Sequence, residues 1–86
     1  MNTEEVIQYP LATEKSIKLM ESENKLIFVV NKKATKQDVK KALETEFKVK
    51  VKNVKTAIDT KGRKKAYVQF AEESPALEIA TKLGLM

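Results

Sequence analysis

Two neighbouring stretches of the chain alternate apolar and polar residues with a period of two. Val54, Thr56 and Ile58 alternate with Lys55, Ala57 and Asp59, and Ala66, Val68 and Phe70 alternate with Tyr67 and Gln69. One apolar face at that period predicts two half-buried strands. Thr60 to Lys64 lies between them, and Gly62 can supply the positive φ that a tight hairpin turn needs. The pair therefore reads as a β-hairpin. Upstream, Leu26-Ile27-Phe28-Val29-Val30 is an unbroken apolar run, which predicts a strand buried on both faces and central in its sheet. Val6-Ile7 is a shorter apolar run closed by Pro10, and a proline belongs at a sheet edge or in an extended arm.

A longer period marks the helices. Thr13 is a good N-cap, Glu14 follows in the first turn, and Ile17 and Met20 recur at i, i+3 before Ser22 to Asn24 ends the element. The face of Glu14, Lys15 and Lys18 is then exposed. Asn31 to Lys33 forms a turn. Thr35 caps the next helix with Asp38 at the capping-box position, and Val39, Ala42, Leu43 and Phe47 make its apolar stripe. Lys40 and Glu44 are spaced for an i,i+4 ion pair. Ser74-Pro75 opens the last helix, with a stripe at Ala76, Ile79, Ala80 and Leu83. Gly84 ends it, and Leu85 folds back on the last turn. Val49 and Val51 place apolar residues at odd positions, whereas from Val54 they fall at even ones. That flip requires a bulge or turn at Lys52-Asn53, with the main strand starting near Asn53.

The order is β-α-β-α-β-β-α. The strand at Leu26 and the strand at Val54 are joined through a helix, and with a right-handed crossover they run parallel with room for one strand between them. The second hairpin strand fills that gap. The fold class is α+β: a small antiparallel, mixed-connection sheet of three to four strands with three helices packed against it. Val54, Ile58, Val68 and Phe70 face the helix of Val39 and Leu43, and Lys55, Lys65, Tyr67 and Gln69 share the opposite face or its edge. At 86 residues the chain reads as a single domain spanning 1–86.

Composition narrows the function. There is no cysteine and no histidine, which removes disulfides, thiolate chemistry, the usual zinc sites and the common proton shuttle. Ser16 and Ser74 lack a histidine partner, Gly62 and Gly84 are too far apart for a phosphate loop, and Glu4-Glu5 and Glu72-Glu73 read as solvated pairs. No enzyme, metal or cofactor is expected. No apolar run approaches the length of a membrane span, and the acidic Met1 to Glu5 is unlike a signal peptide. The net charge is +5, but residues 32–65 alone carry +9, with 13 basic residues against Asp38, Glu44, Glu46 and Asp59. Charge concentrated in this way suggests a polyanion-binding surface. Lys61, Arg63, Lys64 and Lys65 crowd the hairpin turn, and Lys32 and Lys33 occupy the turn before the second helix. Tyr67 among lysines on a sheet face could stack on a base while the amines meet phosphates.

Pro10-Leu11-Ala12-Thr13-Glu14-Lys15-Ser16 resembles the first signature of the large-subunit ribosomal protein family numbered twenty-three. Phe28 to Asn31 leading into Ala34-Thr35-Lys36 resembles its second, and Phe47 to Val54 its third. Lys64-Lys65-Ala66-Tyr67-Val68 is similar to its last strand, and the ending from Glu78 to Gly84 to the archaeal branch. The resemblance implies a cytoplasmic, ribosome-bound structural protein. It would bind large-subunit rRNA near the polypeptide exit tunnel, beside other ribosomal proteins, at a rim where the signal recognition particle and other nascent-chain factors dock. Carried over by position, Glu14 is the docking residue, with Lys18 beside it. Lys15, Lys36, Lys55, Thr56, Lys65 and Tyr67 lie in the motifs that approach rRNA. Only Thr60 to Lys64 separates the hairpin strands, against a long extension in bacterial members. That argues against a tunnel-lining role and for the archaeal or eukaryotic type. The alternatives from other classes are a protein-interaction module working through the face round Glu14, and a free-standing nucleic-acid-binding domain.

Overall fold

The computed structural model describes residues 3–11 and 13–82. A single helical turn, α1 (Thr3–Val6), leads into β1 (Ile7–Pro10), then α2 (Glu14–Glu23), β2 (Lys25–Val30), α3 (Lys36–Phe47), β3 (Val51–Ile58), β4 (Lys64–Phe70) and α4 (Ala76–Lys82). From β1 onward the order is the one expected. The turn of α1 was not expected: Val6 is buried at its end, where a strand residue was anticipated.

The helix starts follow from local chemistry. The Thr13 side chain accepts the Ser16 N–H, and the Ser16 hydroxyl oxygen accepts the Thr13 N–H. Thr35 and Asp38 make the same reciprocal pair at the head of α3. Hydrogen bonding to Thr35, through its backbone first, outweighs desolvation and holds the Asp38 carboxyl below its ordinary pKa.

The sheet order is β1-β2-β4-β3, with every neighbouring pair antiparallel. Thus β4 lies between β2 and β3, which run parallel to each other. Opposed residues share a face. Leu26 with Val68, Phe28 with Ala66, and Val54 with Val68 line one side. Met20 from α2, Val39, Ala42 and Leu43 from α3, and Ile79 and Ala80 from α4 join them in one core. The phase flip is a register shift between Val51 and Asn53, so β3 begins at Val51, two residues before the expected start. It forms one edge of the sheet, with Lys52, Asn53 and Lys55 exposed along it.

Four expectations are corrected. Ile58 is 69% exposed; it pairs with Lys64 at the end of the edge strand β3, while Val30, across the same rung on the inner strand β2, is buried in the core. Ile17 is 37% exposed and Ser16 takes the buried place beside Met20, because the capping box turns that hydroxyl inward onto the Leu11 carbonyl oxygen at 2.9 Å. Lys40 and Glu44 do not form an ion pair among the described residues; Glu14 and Lys18 do, at 3.5 Å. Ser74 does not cap α4. The Pro75 carbonyl accepts the first helical N–H groups, from Glu78 and Ile79, while the Ser74 hydroxyl accepts the Lys50 N–H. The expected stop at Gly84 and the contacts of Leu83 and Leu85 lie outside the described residues.

Candidate nucleic-acid interface

The hairpin tip is built round Asp59. Its Oδ1 accepts the backbone N–H groups of Lys61 and Arg63, each at 2.9 Å, and its Oδ2 accepts Arg63 Nε at 2.9 Å. Lys65 Nζ approaches the same oxygen at 3.7 Å. Gly62 closes the turn with φ +81°, and its N–H reaches the Asp59 carbonyl. Desolvation opposes the Asp59 charge, but the bonds from Arg63 and Lys61 outweigh it and hold its pKa below the ordinary value. Arg63 is raised in turn, first by its bond to Tyr9 and then by Asp59.

A second basic turn meets this one. The Asn31 side chain accepts the Lys33 N–H, and the Ala34 N–H reaches the Asn31 carbonyl, which shapes the link from β2 to α3. Lys64 Nζ donates to the Ala34 carbonyl at 2.6 Å and ties the two turns together. Lys32 Nζ reaches within 3.9 Å of the space a Cβ at Gly62 would fill. So Lys32, Lys33, Lys61, Arg63 and Lys64 share one end of the molecule, with Lys36 at the start of α3 beside them. Among the described residues, Lys32, Lys33, Lys36 and Lys61 have no carboxylate within 4 Å, whereas Arg63 is held by Asp59.

The sheet face away from the helices carries a second group. Lys55 stands opposite Tyr67, Ala57 opposite Lys65, and Asn53 opposite Gln69. Sequence reasoning passes over Tyr9, which shares this face opposite Val29 and accepts a hydrogen bond from Arg63 Nη1 at 3.2 Å. The alternation of Ile7 and Tyr9 was its signal, but the face it occupies depends on the β1–β2 register. Thr56 does not belong here; it lies on the helix side opposite Ala66. Lys15, with Glu14 and Lys18, is exposed on α2, on the other side of the sheet from Tyr67.

The far end of the sheet differs. A groove of about 1030 Å³ runs there between the end of α2 and residues 69–73, lined in part by Glu21, Glu23, Glu72 and Glu73. Its carboxylates make it unsuited to a polyanion.

The sequence profile described as Ribosomal protein L23 matches residues 5–73. The chain belongs to the ribosomal protein L23 family. It is 48% identical over 85 residues to the "Large ribosomal subunit protein uL23" of Methanococcus aeolicus, covering 99% of each chain. With the protein of the same description from Methanococcus vannielii the identity is 45%, again over 99% of each. These relatives are of the archaeal type, as the resemblance of the ending from Glu78 to Gly84 implied and within the archaeal or eukaryotic type that the short hairpin implied. L23 is a family of structural ribosomal proteins, and the chain is accordingly not an enzyme. In this L23 chain the Thr13 and Ser16 of the first signature are a helix cap. The matched span includes both basic turns and the open sheet face.

Proposed function

We infer that the chain is a structural constituent of the large ribosomal subunit that binds large-subunit rRNA near the polypeptide exit tunnel. The observation that carries this is the meeting of two lysine-bearing turns at one end, where Lys32, Lys33 and Lys61 have no carboxylate within 4 Å among the described residues. Amines left without an internal counter-charge release counterions when they meet phosphates. The set is lysine-rich, and Arg63 is turned inward to Asp59 and Tyr9, so contacts favour backbone and shape over base edges. The other side of the molecule, where Glu14 and Lys18 are exposed on α2, suits docking of neighbouring ribosomal proteins, the signal recognition particle or other nascent-chain factors. Such a protein works in the cytoplasm, bound to the ribosome.

The test is a titration of the full chain against a fragment of large-subunit rRNA at several salt concentrations. Affinity falls steeply with salt and exceeds that for an unrelated RNA of equal length. A flat salt response, or equal affinity for both RNAs, overturns the reading.

A further inference from the structure

The chain holds two tyrosines and no tryptophan, and both tyrosines stand on the open sheet face. Tyr9 flanks β2 on one side, opposite Val29, and Tyr67 flanks it on the other, opposite Ile27. Ile27 and Val29 point to this face, yet they are only 4% and 2% exposed. The core that contains the helices does not include them. Their cover therefore comes from the flanking strands, where Tyr9, Lys65 and Tyr67 are the long side chains beside them. The two tyrosines thus flank an aliphatic pair in register, and Tyr9 still leaves 43% of its surface open. Each ring has a cation at its side: Arg63 on the Tyr9 hydroxyl, and Lys55 across from Tyr67.

We propose that this face holds an unpaired nucleotide of the RNA, its base laid on a tyrosine ring and its phosphate met by Lys55. The inference rests on the RNA-binding reading above and adds which part of the RNA is held. A continuous duplex hides its base faces inside the stack and offers phosphates and groove edges, for which lysines suffice. A four-stranded antiparallel sheet with helices on one side and aromatic rings on the other suits splayed bases. Lys55 is exposed and has no carboxylate within 4 Å among the described residues, whereas Lys65 and Arg63 are drawn to Asp59. The phosphate contact therefore falls to Lys55.

The experiment uses two synthetic RNA hairpins of equal length, one with a fully paired stem and one with a single unpaired adenosine in it. Each is titrated into the full chain while tyrosine emission is read, and that emission comes from Tyr9 and Tyr67 alone. The bulged hairpin quenches the emission and binds about tenfold more tightly than the paired one. Tyr67→Leu removes that preference, and Tyr67→Phe keeps it. Equal affinities and unchanged emission, with binding still steeply salt-dependent, overturn the stacking and leave RNA binding standing. No binding to either hairpin overturns the stacking, and the salt titration with the large-subunit rRNA fragment then decides the RNA-binding reading on its own. If Tyr67→Leu fails to fold, the wild-type emission and affinity ratio decide alone.

Discussion

The two ends of the sheet are each organised by one small side chain, and the two leave different surroundings. At one end Asn24 adopts a left-handed conformation, φ 56°, to close α2. Its amide nitrogen lies 3.1, 3.2 and 3.3 Å from the carbonyl oxygens of Phe70, Ala71 and Ser74. Its side-chain oxygen accepts the Ala76 N–H at 2.6 Å, the cap that Ser74 was expected to supply. A neutral amide thus joins α2, β4 and α4 entirely through backbone groups. At the other end Asp59 holds its turn with equal economy, but the amines of Lys32, Lys33 and Lys61 around it keep no internal counter-charge. Stability is concentrated at the first end and binding capacity at the second, so mutation separates them.

The largest effect falls on the amide. Asn24→Ala strands several backbone groups and costs about 3 kcal/mol in chemical denaturation, with RNA affinity of the folded fraction unchanged. Asn24→Gly recovers about 1 kcal/mol of that, because glycine accepts the left-handed backbone freely. Equal losses in the two variants would show that backbone strain plays no part.

Next in size is the lysine end. Lys32→Ala, Lys33→Ala and Lys61→Ala together reduce the slope of log affinity against log salt by about 2 to 3, while the melting temperature stays put. A melting temperature that drops with the slope would mean that the turns need these amines to fold. Lys64 is left out of the set, since its bond to Ala34 gives it a structural duty.

A smaller effect concerns pH. The Asp59 pKa lies below its ordinary 3.8 in the folded chain, so its contribution is whole above that value and is lost as pH falls through the folded one. Asp59→Asn is therefore less stable than wild type at neutral pH, and the two denaturation curves converge under acid. A gap that persists unchanged at low pH would contradict this. Asp38 shares the sign and stays in the variant, so some acid sensitivity remains. Smallest of all, Glu14→Ala shifts stability by less than about 0.5 kcal/mol, because its pair with Lys18 is largely in water. An RNA defect in this variant would contradict the separation of the two sides.

The strands, the caps at Thr13 and Thr35, the box of Thr35 with Asp38 and the phase flip before Val54 were legible because each depends on near neighbours. The partner role of Ser16 at the first cap was not read. The sequence also placed Lys55, Tyr67 and Lys65 on one face, since period two settles it once the hairpin is recognised. What stayed hidden depends on distant partners. Nothing near Asn24 announces that it caps a helix some fifty residues on, and the Tyr9–Arg63 bond spans the β1 edge and the hairpin tip. Ile58 misled because apolar alternation marks a face but not how far that face stays covered toward the edge strand, where Ile58 lies open while Val30 on the same rung is buried.

One border of the sheet has a consequence for the newly made chain. Among the described residues no strand lies beyond β3, so a row of its backbone groups stands bare. A flat, apolar margin of eight residues would invite a second copy to add on and start a clump. The kink at Val51–Asn53 and the ammonium groups of Lys52 and Lys55 discourage that joining.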